Sequence, residues 1–406
     1  MKKTSTRSNA DIMKKQNRTV VMHELRKHGP VSKADLAERT ELSFMSISNI
    51  VQELLAADII EESGMGASLG GRKPALYRLS TKNQVISVDI NVDNIQAAKI
   101  NIRGEVIDTV SKSIHNQEEQ ASITDHVHLL VDQLLGSCKE RTKGIGVSSP
   151  GPVDSQQGMI LTPPNLKEIG HLKIAEQLES RHRLPVVVER DANAAALGEH
   201  WFGSSQKKDS MLYVLADQGI GGGLIVQGEI YRGFLNGAGE IGHHTIDMNG
   251  PKCSCGSYGC LETFASGIAL IKKAEIEKQR LTSKVSSSID REQEIKLEAI
   301  FTAANQGDAL AKQLLEEAAN YLGVGIANAA NILNPEEIII GGAIMHGYPL
   351  GLETITHIVN NRSLYDKHNK TIIKRSQFKE DAQLIGAAAA IIDHLFMHPD
   401  KLLSAR

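Results

Sequence analysis

Between Gly239 and Glu262 the chain gathers residue types that bind metals and polyols. Cys253, Cys255 and Cys260 fall within eight residues, His243 lies ten residues before the first of them, and Glu240 and Glu262 bracket the set. The spacing reads as a metal knuckle with carboxylates held beside it. Four cysteines in 406 residues are too few for a disulfide scaffold, and close neighbours such as Cys253 and Cys255 are poorly placed to bridge each other. The elements that position this stretch have to be found in the rest of the chain.

At 406 residues and 41% apolar, the chain is too long for one core and is expected to form two or three domains. It has no apolar run of ~20 residues, and its N-terminus is basic and polar without a signal-peptide core, so a cytoplasmic location is expected. The net charge of −3 conceals an asymmetry: residues 1–82 carry 14 Lys+Arg against 9 Asp+Glu, a net +5, which leaves −8 on the remainder. A basic head on an acidic body suits a partner that is a polyanion at one end only.

In the head, Val20, Val21 and Leu25 give the segment Asn17 to His28 a helical spacing that Gly29-Pro30 ends. Ser32, three residues before Asp35, forms a capping box for a second helix. Ser43 caps a third, in which Ile47, Ile50, Val51 and Leu54 make the apolar stripe while Met45, Ser46, Ser48, Asn49 and Gln52 face outward. Small polar groups on an exposed helix suit base-edge contact in a major groove. Two strands follow, flanking a glycine-rich tip with Arg72 and Lys73 placed for phosphates or a minor groove. The head (1–80) therefore reads as a winged helix-turn-helix whose DNA contacts are Ser43, Met45, Ser46, Ser48, Asn49, Arg72 and Lys73.

In the body, Val85–Ile90, Ala97–Ile102 and Val106–Val110 read as successive strands, and the pattern recurs at Met211–Ala216, Gly222–Val226 and Glu229–Tyr231. The repeat implies two related α/β lobes, residues 83–190 with 382–406 and residues 191–381, with a ligand cleft between them. Gly219-Ile220-Gly221-Gly222-Gly223 is not a dinucleotide fingerprint, because a strand follows where a helix is required. It suits a glycine turn that cradles phosphates, as in actin-like and hexokinase-like folds. The run Leu384–Phe396 reads as a helix packed into the first lobe.

These residues resemble a known family. Glu240-Ile241-Gly242-His243, the run Cys253-Ser254-Cys255-Gly256 through Gly259-Cys260-Leu261-Glu262, Ser149-Pro150-Gly151-Pro152-Val153-Asp154, Asp191-Ala192-Asn193 and Asn334-Pro335 with Gly341-Gly342 are similar to the signatures of the ROK family of repressors, open reading frames and sugar kinases. The resemblance implies a structural Zn²⁺ held by His243, Cys253, Cys255 and Cys260, since three thiolates and one imidazole close a tetrahedral shell. Cys138 lies outside that set and reads as a core residue. The resemblance also implies sugar contacts from Gly151, Arg190, Asp191, Glu240, His243 and Glu262, carboxylates being suited to several bonds from vicinal hydroxyls.

Asp191 matches the carboxylate that serves as base in the family's kinases. Arg190 stands where those kinases usually have Asn, which suits an anionic ligand as well as a surface ion pair. Where kinases have Asp, any residue, then Gly-Gly-Thr in the first phosphate turn, this chain has Asp89-Ile90-Asn91-Val92-Asp93. The second turn has Asp217-Gln218-Gly219 in place of Gly-Thr-Gly. The expectation is therefore a sugar-responsive repressor that is not an enzyme, Asp191 being a vestigial base. It should act as a homodimer or tetramer on operator DNA. The alternatives are a sugar kinase with a DNA-binding head, or a regulator controlled by a sugar-transport protein.

Overall fold

The computed structural model describes residues 9–67, 73–114, 120–163, 166, 169–280, 287, 289, 294–364 and 371–403. Helix α1 (Asn9–His28) begins upstream of the expected start at Asn17, with Asp11 in its first turn where the helix dipole favours an anion. After Gly29-Pro30 the short strand β1 (Val31–Ser32) leads into α2 (Lys33–Thr40). The capping box forms as expected, with Ser32 Oγ accepting from Asp35 N at 3.2 Å and Asp35 Oδ2 accepting from Ser32 N at 3.0 Å. Ser43 Oγ accepts from Ser46 N at 3.2 Å and opens α3 (Phe44–Ala56), which buries Ile47, Ile50, Val51 and Leu54. Strands β2 (Ile60–Met65) and β3 (Ala75–Leu79) pair antiparallel, and β1 adds to β3, giving the order β1-β3-β2. Arg72, at the expected hairpin tip, lies outside the described residues.

The chain divides into two compact units, residues 1–190 with 384–406 and residues 191–383. The first contains the elements above and a five-stranded sheet. Strands β4 (Gln84–Ile90), β5 (Asn94–Asn101) and β6 (Val106–Ser113) form an antiparallel meander, and β7 (Thr142–Ser149) then joins β4 in parallel after helix α4 (Gln120–Leu135). A small hairpin, β8 (Val153–Asp154) and β9 (Met159–Ile160), and helix α5 (Ile174–His182) precede β10 (Val186–Arg190), which pairs parallel with β7. The central strand β4 is buried at every residue, so Val85 and Ile86, on opposite faces, are both core residues, with Val88 and Ile90 beside them.

The second unit repeats this plan. After α6 (Asp191–Trp201), strands β11 (Ser210–Ala216), β12 (Ile220–Val226) and β13 (Glu229–Ile230) form the meander. Helices α7 (Glu262–Ala265), α8 (Gly267–Arg280), α9 (Leu297–Asn305) and α10 (Ala309–Leu333) lead to β14 (Glu337–Gly341), and α11 (Ala343–Gly347) and α12 (Gly351–Arg362) lead to β15 (Ile372–Arg375). The orders β6-β5-β4-β7-β10 and β13-β12-β11-β14-β15 match strand for strand: two antiparallel pairings followed by two parallel ones.

The chain then returns to the first unit through α13 (Ala382–Met397) and α14 (Pro399–Leu403). Ala387 lies directly over Gly146 of β7, with Ile391 beside it, so small residues on both elements permit a close helix-sheet approach. Its buried alanines assign α13 to the core, as the sequence suggested. Among the described residues no helix is long and apolar enough to cross a membrane.

Candidate metal centre and polyol site

The knuckle is built by short-range backbone bonds. Cys253 O accepts from Gly256 N at 3.0 Å, and Ser257 O accepts from Cys253 N at 2.8 Å, folding Cys253 and Cys255 back on each other. Gly259 has a φ of +63° and lies on the Asp247 backbone, a place where no side chain fits, and this turns the chain so that Cys260 rejoins the pair. Leu261, fully buried against α10, locks Cys260 on one side and Glu262 on the other. His243 closes a 3₁₀ turn that begins at Glu240, and the intervening Ile241 is buried in the same core.

One ligand atom from each of His243, Cys253, Cys255 and Cys260 falls within 4.8 Å of the others. Cys253 Sγ stands 3.6 Å from His243 Nδ1, and Cys255 Sγ stands 3.7 Å from Cys260 Sγ. A tetrahedral ion with bonds of about 2.3 Å to sulfur and about 2.0–2.1 Å to nitrogen separates its ligands by roughly 3.5–3.8 Å. The donors therefore fit a closed four-coordinate metal shell. With thiols alone the set is uneven: burial and the neighbouring cysteines push Cys260 up to about 12, while the Ser257 backbone bond draws Cys255 down. A divalent cation favours the thiolate at every position. Because Nδ1 faces the cysteines, Nε2 of the half-buried His243 points away from them.

The first residues of β12 contact the Glu262 carboxylate and the neighbours of the other two candidate polyol carboxylates, Asp191 and Glu240. Ile220 N donates to Glu262 Oε2 at 3.1 Å, Ala192, next to Asp191, packs against Gly221, and Gly222 N donates to Gly239 O at 2.7 Å, anchoring Glu240. The glycine-rich run that resembles a phosphate cradle is thus the strand that holds Glu262 directly and contacts the residues adjoining Asp191 and Glu240. Asp191 opens α6, with its Oδ1 accepting from Ala192 N at 2.6 Å. In the first unit Gly151 and Arg190 are also brought together, since a side chain on Gly151 would meet Arg190 Cδ at 2.8 Å. Arg190 is only 5% exposed, so the surface ion pair is not its setting.

At the two turns expected in the place of phosphate loops, backbone N–H groups find acceptors within the turn. At the β4–β5 turn, Asn91 N donates to Asn94 O at 2.9 Å and Val92 N to Asn91 Oδ1 at 2.8 Å. At the β11–β12 turn, Asp217 N donates to Gly219 O at 2.9 Å and Gln218 N to Asp217 Oδ1 at 2.9 Å. Burial pushes the Asp217 carboxyl above its usual range, partly offset by bonds from the Gln218 and Ala343 backbones.

On the outer face of α3, Met45 is 70% exposed, and Asn49 and Gln52 are exposed, but Ser46 and Ser48 are half-buried. The hydroxyls of Ser43 and Ser46 engage each other at 2.9 Å. Lys73 is exposed at the described edge of the hairpin. Phe44, 58% exposed beside Met45, was not singled out from the sequence. Its place directly after the cap Ser43, one turn ahead of Ile47, was the available signal.

The ROK family profile matches residues 85–394, which span both repeated sheets, the knuckle and most of α13. The chain belongs to the ROK family. Within it, the xylose repressor of Caldicellulosiruptor bescii is 31% identical over 399 residues, covering 97% of this chain and 99% of the relative. The crystal structure of a ROK family transcriptional regulator, a homologue of the Escherichia coli Mlc protein, superposes with a TM-score of 0.83 at 30% identity, covering 97% of this chain and 99% of that one. A ROK family glucokinase from Streptomyces griseus, solved with glucose and AMPPNP, gives a TM-score of 0.67 at 30% identity, and it covers 75% of this ROK chain and 98% of its own. This ROK protein is thus similar to the family's regulators from end to end and to its kinase over three quarters of its length.

Proposed function

We propose that this ROK protein is a sugar-responsive transcriptional repressor. The observation that carries the reading is coverage. The regulator matches the head and the body together, whereas the glucokinase leaves a quarter of the chain unmatched. In this reading the three helices and hairpin form a winged helix-turn-helix. Phe44, Met45, Ser46, Ser48 and Asn49 face the major groove, Ser43 presents the helix, and Lys73 with Arg72 meets the backbone. A homodimer or tetramer would read paired half-sites.

The second unit would take a sugar through Asp191, Glu240, Glu262 and His243. His243, Cys253, Cys255 and Cys260 would hold Zn²⁺, whose role when bound is to fix that wall. His243 then presents Nε2 to a hydroxyl while Nδ1 stays on the metal side, and Glu262 keeps its orientation through Ile220 N. Phosphoryl transfer is disfavoured in this reading because two backbone N–H groups at each candidate phosphate turn, of Asn91 and Val92 and of Asp217 and Gln218, are taken up within the turn, and Asp217 adds a carboxyl at the second. A sugar shifts operator affinity only by its preference for one of two conformations. Band-shift titrations on the promoter region with a panel of pentoses, hexoses and N-acetylated hexosamines test this. Operator affinity unmoved by every sugar that binds would sink it, and steady ATP turnover with any of them would favour the kinase.

A further inference from the structure

Strand β6 ends the first sheet on one side, in the order β10-β7-β4-β5-β6, and among the described residues no strand pairs with its outer edge. In the repeated second sheet the equivalent place is held by β13, two residues long, whereas β6 runs for eight, Val106–Ser113. Its first four residues are all exposed, Val106 at 46% and Ile107 at 52%, in a run Val-Ile-Asp-Thr-Val without proline or glycine. A long exposed edge of that composition is a template for another strand, and folded chains either blunt it or pair it. The direction of its backbone groups follows from one bond. Ile114 N donates to Asp93 O at 2.9 Å, and in an antiparallel ladder every second residue bonds to the neighbour, so Lys112, Val110 and Asp108 turn their amides to β5 while Ser113, Ser111 and Thr109 turn theirs outward. The outward N–H of Thr109 is taken up by the neighbouring Asp108 Oδ1 at 2.9 Å.

We propose that this edge pairs antiparallel with the β6 edge of a second copy of the chain, across a two-fold axis at Val110. A two-fold contact is isologous, so the edge must complement itself. About Val110 it does: Thr109 falls opposite Ser111 of the second copy and exchanges backbone bonds with it, and Asp108 falls opposite Lys112 of the second copy, twice by symmetry. Moving the axis one residue either way sets both charges against uncharged residues, so the pattern selects this register. The pairs at 108 and 112 are of the kind without backbone bonds between them, in which side chains approach most closely. When Ser111 O of the second copy takes over the Thr109 N–H, the Asp108 carboxylate is released to that lysine. Helix α4 packs on β5 and β6, and its Leu129, 54% exposed, adds apolar surface to an edge contact that is small by itself. The inference rests on the homodimer of the proposed function and deepens it by naming the surface.

Sedimentation equilibrium of the full chain without DNA tests the proposal on the wild type, Asp108→Lys, Lys112→Asp, the double swap and Ser111→Pro. Each single swap brings like charges together twice and should weaken association by roughly tenfold or more. The double swap should return it to within about threefold of wild type. Ser111→Pro removes an outward amide that β5 does not use, so it should halve the mass of the assembly while the melting temperature stays near that of wild type. Association unchanged in every variant, with operator binding intact, would overturn this inference alone and leave Asp108 and Lys112 as charges that keep the edge solvated. Weakening in both single swaps without recovery in the double would overturn the register. A wild-type chain that stays monomeric up to about 100 µM would overturn the edge pairing and the paired half-sites together.

Discussion

Two kinds of tight turn meet at β12. The β11–β12 turn closes on itself: the N–H groups of Asp217 and Gln218 find acceptors within the turn, and the Asp217 carboxyl is buried. The knuckle a short way along the same unit does the opposite, aiming one imidazole and three thiols at a common point. In the first, the N–H groups of Asp217 and Gln218 are taken up by acceptors of the turn itself. In the second they crowd together, with Cys253 Sγ 3.6 Å from His243 Nδ1 and Cys255 Sγ 3.7 Å from Cys260 Sγ, spacings that a tetrahedral metal ion would match. A turn's readiness for a ligand is thus read from where its donors and acceptors end up, and glycine content alone does not report it.

Removing a knuckle ligand should give the largest effect. Cys260→Ser leaves three donors and a buried hydroxyl, so bound metal should fall from about one ion per chain towards zero by atomic absorption. Stability should fall by roughly 4 kcal/mol or more, loss of a structural metal being among the few changes of that size. For a unit of this length that corresponds to a melting temperature lower by about 8–16 °C. Unchanged metal content and melting temperature would show that the convergence is only packing.

The two repeated sheets, the third helix and the knuckle were legible from residue order because each rests on a local rule. Ile47, Ile50, Val51 and Leu54 fall on one face at helical spacing, and β4 is rich in Val and Ile. The convergence on β12 was not legible. Ile220, Gly221 and Gly222 make backbone and packing contacts with segments 17 to 42 residues away, and a pattern of side-chain types carries no record of where an N–H bond goes. Phe44 was missed for a related reason: its phase matches the apolar stripe, and only its position in the first turn leaves it exposed.

The polyol arm of the comparison can be broken at Glu262. Glu262→Gln keeps the shape and the acceptor for Ile220 N but removes the charge. A charge-assisted hydrogen bond contributes about 1.5–3 kcal/mol, so an inducing sugar should bind roughly 10- to 150-fold more weakly by calorimetry, with metal content unaltered. Sugar affinity equal to that of the parent would remove Glu262 from the site.

Acid sharpens the distinction between metal-dependent and self-satisfied structure. Protons compete with the metal for His243 and the cysteines. A separate contribution comes from the first unit, where buried His128 Nδ1 and His182 Nε2 meet at 3.1 Å and burial lowers both pKa values below the usual 6.5, with Asp132, Asp125, Arg181 and Lys139 also acting on the pair. Groups with depressed cationic forms are neutral in both states above about pH 6.5. As pH falls below that value the unfolded chain takes up protons first, so stability declines until the folded pair titrates. In the Cys260→Ser background the decline below pH 6.5 should persist, and adding His182→Gln should flatten it. A profile already flat in Cys260→Ser would assign all acid sensitivity to the knuckle.

The smallest effect belongs to the simplest self-satisfied turn, the capping box of α2. Ser32 Oγ accepts from Asp35 N and Asp35 Oδ2 accepts from Ser32 N, and the Ser32 hydroxyl, which also donates to Asp35 Oδ2 at 2.8 Å, lowers the Asp35 pKa first, followed by the Ser32 backbone N–H. Ser32→Ala removes the acceptor for Asp35 N and should cost about 1 kcal/mol, a melting shift of a few degrees that leaves metal and sugar binding untouched. A depressed carboxylate pKa stabilises above its unfolded value near 3.9 and loses that contribution as pH falls through the folded value. The Ser32→Ala deficit should therefore shrink at low pH, because part of what the mutation removes is already lost when Asp35 is protonated. A deficit that stays constant down to pH 3 would mean that the Ser32 hydroxyl acts by packing alone, and a self-satisfied turn would then owe its stability to shape rather than to the closure of its hydrogen bonds.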